Sequence, residues 1–117
     1  MAVARREQRE VINRYLRVFD RNTNQFIGYL VDITPLGAML QSREQIEPER
    51  RMLLRVELPE ELDPSRELVI EAASVWDKKE ENALFHHTGF RFENVTPVAQ
   101  GKIRRMIEMY RLEGLGG

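Results

Sequence analysis

The chain contains no cysteine. That excludes a disulfide framework and any thiolate metal site. Histidine is confined to the adjacent pair His86-His87, and serine to Ser42, Ser65 and Ser74. Neighbours in a strand face opposite ways, so the two imidazoles cannot share one metal unaided, and one of them reads as exposed. No nucleophile–base constellation can be assembled, so neither catalysis nor a resident cofactor or metal is expected. No apolar run reaches membrane-spanning length, and the first ten residues hold no apolar signal core. A cytoplasmic protein without membrane insertion is expected. Lysine is also scarce: three residues against fifteen arginines.

What is present describes one domain of 117 residues, with 42% apolar and 32% charged residues and a net charge of −1. That length carries a single core. A near-neutral surface, without a basic face interleaved with aromatics, argues against a nucleic-acid polymer as partner. The arginine bias fits anion recognition, because guanidinium forks match phosphates and guanine edges, and it fits genome composition equally well.

Residues 1–13 read as a charged arm, with strand periodicity beginning in the 14–117 region. Alternating stretches "YLRVFD" (15–20) and "FIGYLVDI" (26–33) flank a polar turn. In the second, Ile27, Tyr29, Val31 and Ile33 share a face by period two. "AMLQS" (38–42), "MLLRVEL" (52–58), "LVIEAASVW" (68–76) and "ALFHHTGFRF" (83–92) follow. Met52, Leu54, Val56 and Leu58 point inward. Six short strands without crossover helices predict an antiparallel barrel or sandwich. The acidic clusters at 60–63 and 77–81 read as solvated turns. Thr96 is an N-cap before Pro97, and Ile103, Met106, Ile107 and Tyr110 form one stripe of a helix. Gly114 is read as its stop.

"VDITPLGAML" (31–40) interrupts an apolar alternation with Asp32, Thr34 and a Pro-Leu-Gly turn. Two readings stand. Asp32 or Thr34 caps local N–H groups while Gly37 takes a positive φ, or these groups face a ligand. Trp76, the one tryptophan, is either a rim-of-core aromatic or a stacking surface. Arg5 and Arg9 make an R-x-x-x-R pair around Arg6, a spacing repeated at Arg17/Arg21 and Arg51/Arg55.

In the order R-x-x-x-R, hairpin, D-x-[ST]-x-x-G, the chain resembles the PilZ family. The resemblance runs from about Arg5 to Tyr110 and includes Trp76 and "GFRF" (89–92). Thr34 departs from it, since serine is commoner there. The resemblance implies a six-stranded antiparallel β-barrel with a C-terminal α-helix. It also implies a cyclic di-GMP receptor that passes the signal to a protein effector in motility, pilus or exopolysaccharide control. The alternative is an adaptor of the same fold that binds no nucleotide. Arg5, Arg6, Arg9, Asp32, Thr34, Gly37 and Trp76 become the candidate ligand residues, with the arm ordering over the ligand. Oligomeric state and effector stay open.

Overall fold

The computed structural model describes residues 16–116, with side chains through Met109. The arm, the boundary at residue 13 and the Tyr110 side chain lie outside the described residues. Six strands, β1 (Leu16–Asp20), β2 (Gln25–Ile33), β3 (Gly37–Ser42), β4 (Arg51–Glu57), β5 (Glu67–Lys78) and β6 (His86–Glu93), precede one helix, α1 (Pro97–Gly116). The strands close into an antiparallel barrel in the order β1-β2-β3-β6-β5-β4. Closure removes the exposed edges an open sheet of this size would carry.

The core fills the barrel. Val18, Leu40, Leu54, Leu68 and Met106 are at most 1% exposed. Met52, Leu54, Val56 and Leu58 face inward, as their period-two spacing predicts. Two strands break alternation. On β2 the pairing to β3 shifts between Leu30 and Asp32. Gly28, Leu30 and Ile33 are therefore buried, while Tyr29 is exposed and Ile27 and Val31 are half-buried. The single apolar face predicted for Ile27, Tyr29, Val31 and Ile33 is not observed, because the extra residue moves Ile33 to the opposite side of the strand. On β5 the register to β6 shifts between Ser74 and Trp76. Ser74 is buried at 2% exposure, yet Val75 and Trp76 both face outward.

The β5 ladder continues beyond Trp76 to Lys78, which pairs with His87. Asp77 is consequently part of the barrel rather than of a solvated turn. Its side chain is 5% exposed and accepts hydrogen bonds from Thr88 Oγ1 at 2.8 Å and from the His86 ring, whose Nδ1 lies 2.8 Å away. Burial alone would raise the Asp77 pKa. The bonds from Thr88 and His86, with the imidazole charge and the Ile46 N–H, outweigh burial and lower it. His87 Nε2 lies 3.2 Å from Gln41 Oε1. Both imidazoles are half-buried, so neither is the exposed member expected of the pair. Strand β6 begins at His86 and not Ala83, because Ala83 N–H closes a turn onto Glu80 O at 3.0 Å.

The helix starts where predicted. Thr96 Oγ1 accepts the Ala99 N–H at 3.1 Å, an N-cap bond. Ala99, Ile103 and Met106 join the barrel core. Gly114 does not end α1, which continues to Gly116. One glycine costs a helix only about 1 kcal/mol relative to alanine, and none of the described glycines takes the positive φ of a helix stop. The helix is fastened through Asp63, another residue expected in a solvated turn. Asp63 is 7% exposed. Arg105 Nη2 donates to its Oδ1 at 2.6 Å, and Lys102 Nζ lies 3.6 Å from Oδ2. Ser65 bonds the same carboxylate through its hydroxyl and its N–H.

Candidate functional site

The two bulges aim side chains at one groove. After the β2 bulge, Asp32 faces solvent; uninterrupted alternation from buried Leu30 would have turned it inward. After the β5 bulge, Trp76 faces solvent, 43% exposed, where alternation from Ser74 would have buried it. Between these strands run β3 and β6, and they contribute glycines. Gly37 pairs with Arg91, and Gly89 lies between Met39 and Trp76. The resulting groove has a volume of about 390 Å³. Asp32, Thr34, Leu36, Val75, Trp76 and Arg91 rim it above Gly37 and Gly89.

The turn at its edge is built by Thr34. Its hydroxyl accepts the N–H groups of Leu36 at 3.1 Å and Gly37 at 3.2 Å, and its own N–H donates to Gly37 O at 2.8 Å. Thr34 therefore serves the backbone, whatever else it does. Gly37 is needed for a different reason from the one predicted. No described glycine has a positive φ. Instead, a Cβ at position 37 would stand 2.1 Å from Phe90 O. The glycine allows β3 and β6 to approach, and the same absent side chain leaves the groove floor open.

Of the seven candidate residues, Asp32, Thr34, Gly37 and Trp76 meet in this groove. Arg5, Arg6 and Arg9 lie outside the described residues. Sequence reasoning did not single out Arg91, which lines the groove while its Nη2 donates to Glu93 Oε2 at 3.1 Å. Its signal was its place in "GFRF". On the opposite wall, Arg17 and Arg55 approach the Phe19 ring, with guanidinium carbons 5.7 and 4.4 Å from its centroid. Phe26 packs edge-on between Phe19 and Tyr29. This basic-aromatic juxtaposition was not expected from the sequence. Both arginines share the Glu57 carboxylate, at 2.8 and 3.8 Å, so it balances one of their two positive charges. Among the described residues no cluster of metal-ligating side chains occurs, and no helix is long and apolar enough to cross a membrane.

A closed six-stranded barrel carrying one C-terminal helix and an outward groove beside the β2–β3 turn defines a small β-barrel class of domain. The family model described as PilZ domain matches residues 4–109, and the chain belongs to that family. Solved structures with the same fold include the PilZ domain of YcgR from Escherichia coli, described with c-di-GMP. It is 16% identical, with a TM-score of 0.67 over 86% of this chain and 83% of that one. The motility inhibitor MotI (DgrA) of Bacillus subtilis is 14% identical, with a TM-score of 0.70 over 86% of this chain and 48% of its own. Apo MrkH of K. pneumonia is 15% identical, with a TM-score of 0.64 over 86% and 47%. The chain thus spans less than half the length of the last two. No curated protein matches by sequence.

Proposed function

We propose that the groove between Asp32 and Trp76 is a cyclic di-GMP site. The chain would then be a non-enzymatic receptor that passes occupancy on to a protein effector. The observation that carries this reading is the pair of bulges presenting an acid and an indole over a floor of two glycines, in a chain of the PilZ family. A carboxylate at Asp32 can accept a guanine N1–H and N2 amino hydrogen together. An exposed indole offers a face to a purine. Arg5 and Arg9 would supply forks for the phosphates, with Arg6 and Arg91 as further cations at the rim. Thr34 has one hydrogen left to offer a ligand, now directed at Gly37 O 3.4 Å away.

Calorimetric titration with cyclic di-GMP, with GTP and cyclic di-AMP as controls, tests the proposal. Binding of the first alone supports it, and no heat with cyclic di-GMP overturns it in favour of the nucleotide-free adaptor. Arg5→Ala and Arg9→Ala should each weaken binding more than roughly tenfold, since a charge-assisted bond is worth about 1.5–3 kcal/mol. Arg17→Ala and Arg51→Ala have the same spacing but lie elsewhere, at ion pairs with Glu57 and Glu93. They should leave affinity nearly unchanged.

A further inference from the structure

Gly89 has no turn to make. It lies within β6, buried, opposite Met39 on one side and Trp76 on the other. A Cβ built there would fall 2.4 Å from both Cε2 and Nε1 of the Trp76 indole and 2.7 Å from its Cζ2. Atoms do not approach that closely, so the indole occupies the volume any side chain at position 89 would need. The β5 bulge turns Trp76 out of the barrel, and the vacancy at Gly89 gives it a seat. Seated in this way, the ring covers the β6 backbone and still leaves nearly half of Trp76 open to the groove.

We infer that Gly89 is a positioning residue, one that fixes the Trp76 indole as the stacking platform for a purine base. This rests on the reading of the groove as a nucleotide site and adds a determinant within it. The glycine itself offers a ligand no side chain. Its contribution is where the indole stands and how far it can swing. Replacing the hydrogen by a methyl forces the ring to leave, since the three atoms nearest the new Cβ all belong to the indole, whereas the β6 backbone that carries the methyl is paired on both sides. A displaced indole either closes the groove or turns its face from it, and stacking is lost.

Three proteins decide the matter: Gly89→Ala, Trp76→Ala and the double variant, each compared with wild type. Because Trp76 is the single tryptophan, its fluorescence reports the seat directly. In the free protein, Gly89→Ala should shift the emission maximum, and cyclic di-GMP should quench wild-type emission. Affinity in Gly89→Ala should fall about tenfold, the scale of one lost base–aromatic stack. Trp76→Ala should show a similar loss, and the double variant no more than Trp76→Ala alone. Additive losses would overturn the inference, since Gly89 would then act without Trp76. Unchanged emission or unchanged affinity in Gly89→Ala would also overturn it. Failure of wild type to bind cyclic di-GMP would instead overturn the reading of the groove on which the inference rests.

Discussion

Asp32 and Trp76 stand on strands that do not touch, yet each faces the same groove, and each does so because it follows a bulge. β2 and β5 are separated by β3 and β6. If either strand paired without its bulge, regular alternation from Leu30 or Ser74 would turn one of the two side chains into the core. A buried, unpaired carboxylate or an indole facing Ser74 would then replace the groove. The bulges are therefore the element of the fold on which the site depends, and they tie its geometry to strand pairing far along the chain.

Two glycines should respond to alanine with opposite signs. Gly37→Ala puts a Cβ 2.1 Å from Phe90 O, a backbone atom that cannot step aside alone. Overpacking of this kind costs about 1–3 kcal/mol. At Gly101, within α1, the nearest atom to a new Cβ is Arg105 Nη1 at 3.8 Å, so nothing clashes. There alanine should stabilise by about 0.4–1 kcal/mol. Urea denaturation of both variants reads the two signs, and a stabilising Gly37→Ala would refute the close-approach argument.

Stability should fall in acid through Asp63. The Ser65 hydroxyl bond is the main cause that lowers its pKa from 3.8 to about 2, against the opposing effect of burial and with help from the Ser65 N–H, Lys102 and Arg105. A folded pKa below the unfolded one means the carboxylate stabilises the fold fully above about pH 4. That contribution is lost as pH falls from there through about 2. Asp63→Asn should melt at lower temperature than wild type at neutral pH, and the gap should narrow across this window. Melting curves between neutral pH and pH 2 check it; a gap independent of pH would assign the effect to packing.

Thr34 separates turn from ligand. Thr34→Val removes the acceptor for the Leu36 and Gly37 N–H groups. These are exposed, so the loss should be about 1 kcal/mol of stability. Thr34→Ser keeps the acceptor and should match wild type in melting and bind cyclic di-GMP at least as well. If Val melts normally, the hydroxyl does not hold the turn.

Asp32→Ala should lose discrimination as well as affinity. In the proposed site the carboxylate would accept a donor pair that adenine lacks. The ratio of cyclic di-GMP to cyclic di-AMP affinity should shrink in calorimetry, whereas Arg9→Ala, acting on phosphate, should weaken both ligands alike. An unchanged ratio in Asp32→Ala would remove Asp32 from base recognition.

A chain beginning at Glu10 should fold with a nearly unchanged melting temperature and fail to bind cyclic di-GMP, because Arg5, Arg6 and Arg9 are gone while the described barrel is intact. Retained binding would show that the arginines of 1–9 are dispensable.

Composition and periodicity determined the class of this protein. Period two in six segments and a 3.6-residue stripe ending the chain predict strands and a helix, since burial repeats with backbone geometry. The turn residues at 31–40 marked one edge of the groove for the same local reason. What alternation cannot express is a bulge. One extra residue leaves the composition of β2 and β5 unchanged, yet it exchanges inside for outside beyond Val31 and Val75. The partner strand's register is what reveals it. Tertiary structure also decided the glycines and the acids. Gly37 and Gly89 are required by atoms distant in sequence, Phe90 O for one and the Trp76 ring for the other. Asp63 and Asp77, set among the charged residues of turn-like stretches, are buried because Arg105 and Lys102 from α1, and Thr88 and His86 from β6, arrive to pair with them. Such partners become neighbours only when the barrel closes and the helix docks.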